Sequence, residues 1–189
     1  MSVPLSLRRK VMLIFDQDLL SPGHVEIEGE RDNMYQERLN NAYKMAAWAA
    51  DNIIKAETDH VFLSCCIKND KFFDPAVVSE LINNVLYNEE NKVDNHKIIQ
   101  AIFEKILKIY VSRGISCSID ISIDQINTQA DLAASHKAAI VVAQPSDLSA
   151  IGKAVSLDWA ERMARDGPIP TLIVKGSMVP DSILYKFNV

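Results

Sequence analysis

The stretch IVVAQPSDLSAIGKAVSLDWAERM, residues 140–163, sets an apolar run, a polar bend and a helix-like period in the order that frames a phosphate-binding loop. In such a loop backbone N–H groups converge on an anion, and the helix that follows adds the partial positive charge of its N-terminus. The bend supplies Ser146, Ser149 and Gly152 as positions able to wrap a small anion, with Lys153 as a cation and Ser156 beyond it. It also opposes a larger, more highly charged guest. Pro145 removes one N–H donor, Asp147 places a carboxylate in the bend, and no glycine occurs from Gln144 to Ile151 to let the backbone come close. A second residue able to do chemistry is Asp16, which follows the apolar run KVMLIF. An acid at the carboxyl end of a strand either meets a ligand or accepts hydrogen bonds from its own loop.

Catalytic patterns are sparse. His24, His60, His96 and His136 are spread along the chain without H-E-x-x-H or H-x-E spacing, and no G-x-S-x-G elbow occurs. A Ser-His-Asp arrangement depends on geometry and is not excluded by order alone. Cys65, Cys66 and Cys117 are odd in number and lack C-x-x-C spacing, so they suggest neither a disulfide framework nor a zinc site. The expectation is a chain with no catalytic residues and no metal. Trp48 and Trp159 fall within helical patterns and read as packing anchors.

Composition bounds the rest. At 189 residues with 48% apolar and 24% charged residues, the chain suits one domain with one filled core. The formal charge of -5, with no basic cluster beyond LRRK, argues against nucleic acid as a partner. No apolar run approaches the roughly 18 to 20 residues of a bilayer span, and no secretory signal opens the chain. Together with unpaired thiols this predicts an intracellular protein of the cytoplasm or nucleus, away from membranes.

The elements that must position Asp16 and the bend follow from apolar periodicity. KVMLIF (10–15), HVFLSCCI (60–67), AAIVVA (138–143) and TLIVK (171–175) are nearly continuous apolar runs, as parallel strands covered on both faces tend to be. ISCSIDISI (115–123) alternates, with Ile115, Cys117, Ile119, Ile121 and Ile123 on one side and serines or aspartate on the other, which predicts a half-buried edge strand. Leu39, Ala42, Ala46, Ala49 and Ile53 give a helical stripe over 33–55, and Ile98, Ile102, Ile106 and Ile109 another over 95–113, stopped by Gly114. Shorter helices are predicted from Asp74-Pro75 onward, over 125–137 and over 152–166. The alternation implies a three-layer α/β/α sandwich around a doubly wound, five-stranded parallel sheet with right-handed crossovers. Residues 8–175 form the core. Residues 17–32, with Glu26, Glu28, Glu30 and Asp32, and residues 68–94 read as insertions at the ligand-binding edge, either a lid or a partner-binding surface or else variable surface loops, the acidic one able to meet a protein partner. The tail 176–189 is apolar at Ile183, Leu184, Tyr185, Phe187 and Val189, so it either covers its own sheet edge or, as a short added strand, meets a second copy.

The element order and several local words resemble the universal stress protein family. Phe15-Asp16 in LIFDQDLLS resembles the family's V-D-x-S after the first strand, with Ser21 displaced. HKAAIVVAQPS resembles A-D-L-I-V-V-G before the loop, and ERMARDGPIPTLIVK resembles the family's last helix and C-P-V-L-V-V strand. The resemblance spans most of residues 8–175 and implies an adenine nucleotide alpha hydrolase-like fold with strand order 3-2-1-4-5. ATP-binding members carry G-x2-G-x9-G-[ST] after the fourth strand. Here Ala143, Ser146 and Ser156 stand at the three glycine positions and Leu157 at the hydroxyl position. The resemblance therefore implies Asp16 as a nucleoside-binding acid beside Phe15, and a homodimer through the fifth strand and the tail. The substituted glycines point to a degenerate site with no resident cofactor. The expectation is a non-catalytic regulatory or protein-interaction module. The alternatives are an ATP- or other adenine-nucleotide-binding protein with weak hydrolysis through a divergent loop, and a small hydrolase or transferase on a similar sheet. A part in stress response follows from the family name alone.

Overall fold

Four near-continuous apolar runs and one alternating run form neighbouring strands in a computed structural model that describes residues 3–16, 20, 28–67, 96–123, 129–144 and 159–187, with the backbone alone at 28–35, 123 and 187. The strands are β1 (Arg9–Phe15), β2 (Asp59–Ile67), β3 (Ser116–Ile123), β4 (Ile140–Ala143) and β5 (Thr171–Ile173). They pair in the order β3-β2-β1-β4-β5, every pair parallel. The sheet is thus the predicted five-stranded one, with the alternating run at an edge. Helices are α1 (Glu28–Asn52), α2 (96–112), α3 (Gln129–Ser135), α4 (Trp159–Asp166) and α5 (Ser182–Phe187).

Side-chain alternation along the strands divides the core in two. The front face of the sheet, Val11, Leu13, Phe15, Val61, Leu63 and Cys65, packs under α1 and α2. The back face, Met12, Ile14, Cys66, Val141 and Ala143, packs under α3 and α4. The alanines of α1 permit a close approach to the strands, and Ala42, Ala46, Ala47 and Ala49 are all buried. Tyr110, fully buried on α2, donates its hydroxyl to the carbonyl of Ala46 at 2.6 Å, joining the two front helices. That burial pushes the phenol well above its ordinary pKa, so it stays a donor.

The predicted stripe on α2 is rotated by about one position. Ile99, Ile102, Phe103, Ile106 and Tyr110 are buried, whereas Ile98 and Ile109 are half-buried. An aromatic at 103 and another at 110 fill more space than the isoleucines and set the face that turns inward. Gly114 ends this helix as predicted, in the left-handed region at φ 73° with open space around it, so its backbone freedom is what the turn uses.

The amino ends of the central strands are tied by one ion pair. Asp59, 1% exposed, accepts from Arg9 Nε at 3.0 Å and Nη2 at 2.5 Å, from the Lys55 N–H at 2.8 Å and from Thr58 at 3.2 Å. Arg9 also donates to the Ile53 carbonyl at 2.8 Å, so one guanidinium joins β1, β2 and the chain leaving α1.

Several boundaries differ from the sequence reading. α1 begins at Glu28, inside the stretch read as an acidic insertion, and stops at Asn52. β5, from a run read as a central strand covered on both faces, lies instead at the second edge of the sheet with Leu172 and Ile173 exposed, and ends at Ile173; α3 and α4 are described only over seven and eight residues. The helix expected from Asp74-Pro75 and the 68–94 insertion lie outside the described residues. The tail corrects an alternative: it adds no strand, because residues 182–187 form α5 and turn back onto α1. Ile183 and Leu184 pack on the front core, Lys44 pairs with Asp181 at 2.5 Å, and Gly176 lies so close to α1 that a Cβ there would stand 2.3 Å from the Asn41 carbonyl oxygen. An apolar segment that finds cover on its own domain in helical form has no open strand edge to offer.

Candidate functional site

The carboxyl edge of β1 and β4 is where an open α/β sheet leaves room for ligands, because the chain departs to opposite layers there. β1 ends at Phe15 and Asp16. The Phe15 ring, 1% exposed, points into the front core and meets Phe103 at 5.2 Å between centroids. Asp16 points the other way and its carboxylate accepts the indole N–H of Trp159 at 2.8 Å. Trp159, 9% exposed, is the first described residue of α4 and packs in the back core beside Ala160 and Met163. The anchor role read for Trp159 and the carboxylate read for Asp16 are therefore two halves of one contact, across 143 residues of chain.

β4 ends at Ala143, which is fully buried, with its carbonyl accepting the Val174 N–H at 2.9 Å. Gln144 follows, 4% exposed, and its amide oxygen has no hydrogen-bond partner among the described residues. A buried amide oxygen without a donor carries a desolvation cost that a ligand N–H or O–H would relieve. Ser146, Ser149, Gly152, Lys153 and Ser156 lie outside the described residues. Of the residues proposed from sequence, the structure thus describes Phe15, Asp16 and Ala143 at one edge.

A second polar region was not anticipated. On the back face of β2 and β3, the residues that stand opposite one another in register carry polar side chains except at Phe62: His60 opposite Ser116, Phe62 opposite Ser118, Ser64 opposite Asp120 and Cys66 opposite Ser122. His60 Nδ1 lies 2.7 Å from the Ser116 hydroxyl and Nε2 3.0 Å from that of Ser118. His136, in the turn after α3, bonds through Nε2 to the Asp120 carboxylate. Cys66 Sγ is 3.4 Å from the Ser122 hydroxyl. Phe62 stands between the imidazoles, edge-on to His60 at 4.8 Å and tilted over His136 at 4.3 Å. Burial, then the cations of Arg8 and Lys10 and the nearby His136, hold His60 below its ordinary pKa. Ser64 is fully buried and its hydroxyl is unpartnered among the described residues.

This region contains serine, histidine and aspartate but not their catalytic chain. The serines bond to His60 and the aspartate to His136, so among the described residues no single imidazole relays between the two. Neither do the described residues bring three or more His, Cys, Asp or Glu side chains together to hold a metal. Cys117, on the opposite face, is pushed up to about 12 by burial, which keeps it a thiol and a poor nucleophile. None of the three cysteines takes part in a disulfide. No described helix is long and apolar enough to cross a membrane.

The signal for the seam was present in two places. The polar side of ISCSIDISI gave its serines and aspartate, and His60 gave a partner, but their meeting depended on a strand register that adjoining segments of sequence do not state. Trp159–Asp16 had no comparable signal.

No family model matches the chain, and no curated protein matches it. Among solved structures it is similar to a protein of the universal stress protein family from Burkholderia pseudomallei, at 13% identity and TM-score 0.41 over 91% of this chain and 99% of that one. It is also similar to a universal stress protein in complex with cAMP, at 14% identity and TM-score 0.41 over 90% and 98% of the two chains. A universal stress protein from Archaeoglobus fulgidus is similar at 10% identity and TM-score 0.44, over 89% and 95%. The all-parallel sheet and its 3-2-1-4-5 order are properties of this chain's own strand pairing.

Proposed function

We propose that the chain is a binding or regulatory module that does not turn over a substrate, with a nucleotide site that has lost its grip. The observation that carries this reading is the Asp16 carboxylate, which accepts from the protein's own Trp159 at 2.8 Å. An acid already satisfied by an internal donor offers less to a nucleoside hydroxyl, since a ligand must displace that bond to gain its own. The substituted glycines and Pro145 act in the same direction on the phosphate side.

The test is a thermal-shift series on the full chain with millimolar ATP, ADP and cAMP, joined to mass spectrometry of the protein as purified. The expected outcome is an unchanged melting temperature and no co-purifying nucleotide. A rise in melting temperature that grows with the logarithm of nucleotide concentration would overturn the reading, because only a ligand of the native state gives that dependence.

One observation favours the second reading, an adenine-nucleotide-binding protein with a divergent loop: the unpartnered amide oxygen of Gln144, buried immediately after Ala143. It would accept from a nucleobase amine or a ribose hydroxyl. The same titration separates the two, and Gln144→Leu should abolish a shift that depends on this acceptor.

We further infer an intracellular protein that pairs with a second copy along β5 and the tail. Leu172 and Ile173, 37% and 36% exposed at the sheet margin, support that surface, as does Met178 at 80%. The acids Glu26, Glu28, Glu30 and Asp32 support a basic protein partner.

A further inference from the structure

We propose that His60 makes the seam between β2 and β3 a proton-operated joint: uptake of a proton on its imidazole loosens the edge strand β3 while the centre of the sheet stays closed. The inference rests on how β3 is held. Among the described residues it pairs with β2 alone, and on its back face it has no apolar side chain from Ser116 to Ser122. Ser116 and Ser118 are tied to His60, Asp120 to His136 and Ser122 to Cys66. Of the three side-chain ties between β2 and β3, two therefore pass through His60, an imidazole, the side chain whose charge changes between about pH 5 and 8. The central strands have no such dependence, since β1 and β4 meet through Met12, Ile14, Val141 and Ala143.

The two rings have different neighbours. His136 faces the Asp120 carboxylate, an opposite charge across a direct contact. A charged His60 faces hydroxyls on β3, the cations Arg8 and Lys10 from the start of β1, and His136 across Phe62. The one carboxylate on this face of β3 is already bonded to His136. Ser116 and Ser118 can rotate to accept, so the hydrogen bonds persist; what changes is a charge in a half-buried site that no described carboxylate is left to compensate. Moving β3 outward gives that charge water, and β3 is the strand with one neighbour to lose. Such openings of an edge unit ahead of global unfolding are how native proteins distribute their stability.

The experiment is amide hydrogen exchange on the full chain at pH 7.5 and 5.5, read by mass spectrometry and corrected for intrinsic rates. Protection in residues 116–123 should fall at least tenfold more than in residues 9–15. His60→Gln, which keeps two hydrogen-bonding atoms and cannot take a proton, should remove that difference, and His136→Gln should not. Arg8→Gln, which takes a cation away from His60, should move the midpoint to higher pH. Should His60→Gln fail to fold, the wild-type chain still decides: the imidazole titration of His60 by NMR must share its midpoint with the change at the Ser116 and Ser118 amides. Equal loss in both strands, loss that persists in His60→Gln, or separate midpoints would overturn the joint.

Discussion

Asp59 and His60 are adjacent in β2, yet they point to opposite faces of one sheet and are stabilised by opposite means. Asp59 is directed forward beneath the end of α1, where burial alone would favour its protonated form. The Arg9 guanidinium and the Lys55 and Thr58 donors outweigh that and hold its carboxyl below the usual range. His60 is directed backward, where it meets hydroxyls and cations, and its neutral form is favoured. Burial of an ionisable group is thus tolerated on either face, but the front supplies a counter-charge to Asp59, whereas among the described residues the back supplies none to His60, its Asp120 being bonded to His136. The front can hold an ion pair because the chain leaving α1 brings a carbonyl and an N–H down onto the strand ends. The back at β2–β3 is lined among the described residues by side chains of the strands themselves and by the turn after α3.

The largest expected effect breaks the front arrangement. Asp59→Ala strands a guanidinium that is 41% exposed, so the penalty of about 3–5 kcal/mol known for fully buried pairs should be reduced to about 2 kcal/mol, measured by urea unfolding at pH 7. The pH response sharpens the contrast between the neighbours. Because the folded-state pKa of Asp59 is depressed, its contribution is complete above the unfolded value of about 3.9 and is lost as pH falls through the folded one. His60 is a base with a depressed folded pKa, so stability begins to fall once pH drops below its unfolded value of about 6.5. Between those windows wild type should lose stability that His60→Gln retains. If the two proteins follow the same curve from pH 7 to 5, the back face carries no net charge sensitivity.

The smallest effect tests the turn that delivers His136 to the seam. Lys137 sits in the left-handed region at φ 54°, with its N–H bonded to the Ala134 carbonyl at 2.9 Å and the Ala138 N–H to Ala133 at 2.9 Å. A side chain there is strained where glycine is not, so Lys137→Gly should gain about 0.5–1 kcal/mol in chemical unfolding. A loss instead would show that the lysine makes a compensating contact.

Much of the sheet was legible because burial on both faces leaves a one-dimensional mark. KVMLIF and HVFLSCCI are apolar without alternation, and they became β1 and β2, two of the three inner strands of the sheet, with all of Val11 to Phe15 buried. ISCSIDISI alternates and lies at the edge. The tail was less legible, since an apolar segment needs cover but does not specify whose: Ile183 and Leu184 found it on α1 in a helix. Of the candidate site, the residue types at the carboxyl edge could be named, whereas the state of Asp16 could not. A lone aspartate reads alike whether it awaits a ligand or accepts from an indole 143 positions away.

Local periodicity, turn chemistry at Gly114 and the want of glycine after Ala143 are statements about neighbouring residues, and the sequence by itself determined them. Pairing His60 with Ser116 and Ser118, His136 with Asp120, and Trp159 with Asp16 required strands and helices distant in the chain to be brought into one register. That choice belongs to the tertiary structure, because side-chain hydrogen bonds and charge pairs act over a few ångströms of space and are indifferent to how much chain lies between their partners.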